Sequence, residues 1–179
     1  VIIPSYNEER NVGIMHERLT KTLSEITDSY EMIFVNDCSK DQTLLRIKEL
    51  AEKDSHVKYL SFSRNFGHQI AVSAGLDFCT GEAVVIIDGD LQDPPELISK
   101  MYERYKEGYK VVYAKRKTRE GETWFKKATA KIFYRLLASM TSIDIPVDVG
   151  DSRLIDRVIV EHLRNMPDKS KYISVQNAW

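Results

Sequence analysis

Cysteine is scarce in this chain, occurring only at Cys38 and Cys79. With no metal-type spacing between them, two unpaired thiols in a thiol-reducing compartment are expected. There is no Gly-rich P-loop and no GxGxxG, so ordinary NTPase and dinucleotide readings lack their motif. No signal peptide is visible, and the run at 83–87 is among the longest apolar stretches, far short of the ~20 residues of a membrane span. An excess of charge is missing too: the formal net charge is -1 over 179 residues, which argues against a general nucleic-acid binder. Internal repeats and low-complexity segments are absent. The chain begins at Val1, inside a strand pattern and without Met, and stops at Trp179 just after the apolar-patterned YISVQNAW. These ends are expected of a piece of a longer protein, so the missing span says nothing about the whole gene product.

What is present is alternation. Short apolar runs at 1–3, 32–35, 57–62, 83–88 and 110–114 read as strands. Between them, segments 11–27, 41–53, 67–79 and 94–107 carry apolar residues at helical spacing, with Asp41 a cap and the prolines near a first turn. Strand and helix in turn predict βαβ units and a mostly parallel α/β sheet covered by helices on both faces. The 179 residues fit one domain. In such sheets ligands bind beyond the carboxyl ends of the strands.

Those ends are polar. The fourth strand runs into Asp88-Gly89-Asp90, followed by Gln92 and Asp93. Two carboxylates one residue apart repel, and a hard divalent cation such as Mg²⁺ or Mn²⁺ removes the conflict while taking further oxygens from substrate phosphates. Gln92 is positioned to add an amide oxygen. A solvated acidic turn, with Asp93 capping the next helix, is the plain alternative. IPSYNEE ends the first strand with Tyr6, Asn7, Glu8 and Glu9, and VNDCS ends the second with Asn36 and Asp37. Each alone is ordinary turn chemistry; three acidic strand ends on one edge suit a metal and a nucleotide diphosphate.

Further on, from 110 to 135, nine basic residues stand against two acidic ones. A polar loop, KRKTREGE, leads into an amphipathic helix with Trp124, Phe125 and Phe133 among the basics; loop and helix together occupy 115–140. The helix suits either a membrane surface or a solvated basic face over a core-packing stripe. The loop around Gly121 is expected to gate the site. A last strand and helix follow in VDVGDSRLIDR. His16 and His68 have no partner at metal spacing, Cys79 reads as a small core residue, and Tyr102, Tyr105 and Tyr109 as helix packing.

Four motifs in order, IPSYNEE, VNDCSKDQT, SRNFGHQIAVSAGLDFCTGEAVVIIDGDLQDPPE and VDVGDSRLID, span nearly the whole chain. It resembles glycosyltransferase family two, the nucleotide-sugar transferases of the GT-A fold, and DGDLQDPPE is similar to the branch that acts on polyprenyl phosphates: dolichyl-phosphate mannose synthases and undecaprenyl-phosphate glycosyltransferases. The resemblance implies a Rossmann-like GT-A domain and inverting transfer of a hexose from a nucleotide diphosphate sugar, UDP before GDP, to a polyprenyl phosphate in cell-envelope glycan biosynthesis. It places the protein at the cytoplasmic face of the membrane, anchored by segments outside this chain.

By resemblance, Pro4, Tyr6, Asn7 and Glu9 line the nucleotide pocket, Asp37 accepts a hydrogen bond from the base, and Arg64 lies near base and phosphates. Asp88 holds the ribose or a metal-bound water, and Asp90 and Gln92 ligate Mn²⁺ or Mg²⁺. Arg116 faces the phosphates, Arg135 faces the acceptor, and Asp151 sits near the reacting centre. A phosphomonoester acceptor, with its second pKa near about 6, is already largely ionised, so Asp151 is expected to position first and to act as a base second. The family usually has glycine where this chain has Cys38, which is expected to disturb the turn that carries the base contacts. Two alternatives stand beside this reading: a family-two transferase acting on a polysaccharide or other hydroxyl acceptor, for which Asp151 would be the base, and a non-catalytic nucleotide-binding domain. A metal-dependent phosphoesterase lacks the histidines or second carboxylate cluster of a two-metal site.

Overall fold

The computed structural model describes residues 1–115 and 149–165. Strands β1 (Ile2–Ser5), β2 (Met32–Asn36), β3 (Val57–Ser61) and β4 (Ala83–Ile86) alternate with helices α1 (Val12–Ser24), α2 (Thr43–Lys53), α3 (His68–Phe78) and α4 (Leu97–Lys106). Strands β5 (Val111–Lys115) and β6 (Val149–Asp156) and helix α5 (Arg157–Asn165) complete the described residues. The sheet runs β3-β2-β1-β4-β6-β5.

The first four strands are parallel, with Ile2 beside Ile33 and Met32 beside Val57. Strand β6 is the reversed member of this mostly parallel sheet. It lies antiparallel to both β4 and β5, pairing Ile86 with Arg153 and Val111 with Ile155, so the sheet is mixed.

Neighbouring residues of each strand face opposite ways, which explains the continuous apolar runs: both faces are covered. Ile3, Phe34, Val85 and Leu154 pack beneath α1, α2 and α4 with Met15, Leu19, Ile47 and Met101. Ile2, Val35, Ile86 and Ile155 pack on the other face beneath α3 and α5 with Val72, Leu76 and Val160. Helix α3 approaches β1 so closely that a Cβ on Gly75 would collide with the side chain of Ile2. Arg157 and Arg164 of α5 donate to the carbonyl of Cys79 at the end of α3, while Asp156 accepts from the Val158 amide and caps α5.

Two helix starts differ from the sequence reading. Helix α4 begins at Leu97, because Pro94 and Pro95 form the preceding turn, their carbonyls accepting from Leu97 and Ile98. Asp41 sits one residue outside the α2 cap at Gln42, its carboxylate accepting from the amides of Thr43 and Glu9. Both cysteines are free, Cys79 buried and Cys38 half-buried. Tyr102 and Tyr105 pack ring to ring at 5.8 Å, whereas Tyr109 is exposed.

Candidate active site

The parallel strands aim their following loops at one edge, and these loops are tied together before any ligand is considered. Asp37 donates its amide to the carbonyl of Ser5, and Gly89 donates to that of Pro4. The Glu8 amide donates to the Thr43 hydroxyl at 2.7 Å, joining the loop after β1 to the start of α2. Asn7 accepts from the Lys40 amide and Glu9 from the Gln42 amide. Both side chains therefore brace the β2–α2 loop, and neither lines the adjoining cleft.

That cleft has a volume of ≈ 280 Å³ and is lined by Pro4, Tyr6 and Glu8 after β1, Asp37 after β2, Gly67 and His68 at the start of α3, and Asp88, Gly89 and Asp90 after β4. A larger cavity of ≈ 440 Å³ opens at the other end of the strands, beside Val1, Glu31 and Ala83. It is lined by none of the candidate site residues named from the sequence.

Glycine between the two aspartates leaves room for β1, which passes close by. A Cβ on Gly89 would stand 3.1 Å from the Pro4 carbonyl oxygen and 3.1 Å from the Ser5 hydroxyl. Beyond it the loop is strained, with Leu91 at φ 62. Asp90 steadies this turn by accepting the Gln92 amide at 3.0 Å. Gln92 is exposed and is not part of the cleft lining. Asp93, read as a helix cap, is instead buried and accepts the hydroxyl of Ser152 on β6 at 2.6 Å.

Asp37 is buried, and its two oxygens accept the amides of Phe66 and Gly67 at 2.7 and 2.8 Å. It pulls the β3–α3 loop over the cleft. Arg64 lies on that loop, exposed, with its guanidinium 4.5 Å above the Phe66 ring. His68 is the residue sequence reasoning missed. Its Nε2 bonds Asp88 Oδ1 at 2.7 Å across the cleft. Twenty residues separate the pair, and only the position of His68 at the first turn of α3, below the end of β4, brings them together. His16 likewise has a partner, Asp54, at 2.8 Å.

The cleft is crowded with negative charge. Burial pushes the Glu8 carboxyl above its ordinary range, and Asp90, Asp41 and Asp88 push it further, against the hydrogen bond from Asn11. Hard carboxylate oxygens on one wall suit a divalent cation. Among the described residues, no three His, Cys, Asp or Glu side chains are grouped to hold an ion unaided. Asp88 and Asp90 supply oxygen donors of the kind that Mg²⁺ or Mn²⁺ takes.

Asp151 lies on β6, but its side chain falls outside what is described. Carried two residues beyond the Ile86–Arg153 pair, the antiparallel register brings its backbone to the same edge as Asp88. Arg116, Arg135 and the basic loop and helix with Trp124, Phe125 and Phe133 lie outside the described residues. No helix among the described residues is long and apolar enough to cross a membrane.

Comparison with known proteins matches residues 1–164 to the family model described as Glycosyl transferase family 2. The uncharacterized glycosyltransferase YkcC of Bacillus subtilis (strain 168) is 49% identical over 179 residues, which is 100% of this chain and 55% of YkcC. A bactoprenol glucosyl transferase of Shigella phage SfX is 38% identical over 183 residues, covering 100% of this chain and 59% of the phage protein. The chain thus spans little more than half of these relatives. Among solved structures, S. aureus TarS 1-349 in complex with UDP superimposes with a TM-score of 0.51 at 26% identity, over 68% of this chain and 36% of that one.

Proposed function

The chain belongs to glycosyl transferase family 2, and from that premise we propose that it transfers a hexose from a UDP-sugar to a polyprenyl phosphate at a membrane surface. One observation carries the reading: Asp88 and Asp90, held one residue apart by Gly89, share a cleft with Tyr6, Asp37 and His68 at the carboxyl edge of the sheet. That edge suits a nucleotide diphosphate. The phage relative's name supplies the acceptor class, and the UDP bound to the solved neighbour favours a uridine nucleotide.

In this reading Pro4 and Tyr6 flank the base and Asp37 shapes its pocket through the β3–α3 loop. Asp88, oriented by His68, takes the ribose. Asp90 and Asp88, with Gln92 from the rim, would hold a divalent cation, which supplies positive charge to the departing diphosphate. Asn7 and Glu9 act at one remove, by keeping the β2–α2 loop in place. Arg64 is the described guanidinium nearest to the mouth of the cleft along the chain, and it belongs to the phosphate side. Arg116 and Arg135 are assigned to the diphosphate and the acceptor phosphate. The acceptor oxygen is already ionised near neutral pH and attacks from the face opposite the leaving group, inverting the centre. Asp151 orients that attack, and serves as a base only for a hydroxyl acceptor.

The test is a thermal melt with UDP, GDP or ADP, with and without Mn²⁺, on the wild type and Asp90→Ala. An upward shift with UDP that needs Mn²⁺ and disappears in Asp90→Ala is expected. A GDP preference would change the donor. No shift with any nucleotide in folded protein would overturn the nucleotide site. Transfer to a sugar hydroxyl in place of polyprenyl phosphate would replace the acceptor.

A further inference from the structure

The bond between Ser152 and Asp93 lies away from the cleft lining, yet it joins the two motifs that the reaction brings together. Both residues are buried, Ser152 at 1% and Asp93 at 4% exposure, and the hydroxyl donates to the carboxylate at 2.6 Å across 59 positions of chain. Burying a carboxylate is costly unless it is hydrogen-bonded, and an apolar pair would hold β6 against the loop without that cost. What an apolar pair lacks is direction. A short hydrogen bond to a charged acceptor fixes distance and angle together.

The two ends of this bond define its role. Asp93 closes the turn that begins at Asp90, passes through Leu91 at φ 62, and includes the Gln92 amide bonded to Asp90. Ser152 follows Asp151 on β6, on the strand whose register with β4 fades just before Asp88. We propose that Asp93 and Ser152 are positioning residues that hold the acidic loop after β4 in register with β6, and so set the separation between the sugar donor and the groups on the acceptor side. The inference rests on the transferase reading above. Neither residue touches substrate. Their effect is on alignment, which weighs most on the chemical step, since a displacement of about 1 Å can cost ~10²-fold in rate.

The experiment compares full-length wild type, Ser152→Ala and Ser152→Thr in transfer from a UDP-sugar to a polyprenyl phosphate, with thermal melts alongside. Ser152→Ala is expected to lower kcat by at least ~10-fold with the donor KM within ~2-fold, and Ser152→Thr, which keeps the hydroxyl, to recover to within ~3-fold of wild type. Should threonine not fold in this buried position, Asp93→Asn is the conservative variant, because its amide oxygen accepts the same hydroxyl. Unchanged kcat in Ser152→Ala overturns the proposal. So does a fall in kcat, donor affinity and melting temperature together with no recovery in the conservative variant, which marks packing alone. Wild-type protein without transfer activity overturns the transferase reading itself, and the alignment role with it.

Discussion

Cys38 adopts φ 58, a backbone conformation natural to glycine. It shares this with Asn7 and Leu91, and the three are the non-glycine residues of positive φ among those described. They sit in the loops after β2, β1 and β4, so backbone strain collects at the edge that carries the cleft. The left-handed turn is kept despite the cysteine. The strain of a side chain there is about 1–2 kcal/mol, partly offset because glycine is freer when unfolded. Cys38→Gly is therefore expected to raise stability by about 1 kcal/mol, read as a higher urea midpoint with an unchanged slope; an unchanged or lower midpoint would contradict it. Asp88, Asp90, Pro4 and Tyr6, named from the sequence, all line one cleft, because residues next to one another at a strand end need no long-range information to share an edge. His68 was not: nothing local to His68 reveals that β4 ends above it. Asn7 and Glu9 were legible as loop residues, but their hydrogen bonds to the next loop depend on how two strand ends sit side by side.

Elements followed the same division. The four βα units were readable because each covers its own stretch of sheet, so apolar runs and helical spacing coincide with the final elements to within a few residues. The reversed direction of β6 was not readable, since a run such as RLI packs equally well in either sense. Helix α3 shows what its pattern concealed. Gly75, inside the helical segment 67–79, is a point where α3 touches β1. Ile2 is fully buried and β-branched, with little freedom to move aside. Gly75→Ala is expected to destabilise the fold by roughly 1–3 kcal/mol, despite alanine's better helix propensity. A stability gain in chemical denaturation would show that α3 can shift away from the sheet. Because α3 also presents His68, the same substitution is expected to weaken nucleotide binding.

Across the whole molecule, acidic groups far from the cleft govern tolerance of low pH. Burial pushes Asp54 up, but hydrogen bonds from His16 and His56 outweigh it and hold the carboxyl at about 2 instead of 3.8. Burial likewise opposes, and Lys58 and Thr80 overcome it, at Glu31, held at about 2 instead of 4.5. In both, the folded pKa lies below the unfolded one, so the unfolded chain takes up protons first. Their stabilisation is complete above about pH 4.5 and is lost as pH falls towards 2. Urea midpoints measured from pH 6 to pH 2 should fall through that window, and less steeply in Asp54→Asn; parallel curves would remove Asp54 from the account. The sheet order has a consequence of another kind. Among the described strands β5 pairs only with β6, which follows it by more than thirty residues. As the chain leaves the ribosome, β1 to β4 can assemble while β5 waits for β6, its partner among the described strands. The edge of β4 stays open until β6 arrives and slides between them. Since β6 also carries Ser152 and Asp151, the growing polypeptide lays down the cleft edge of β1 to β4 before it makes the strand that we propose aligns it.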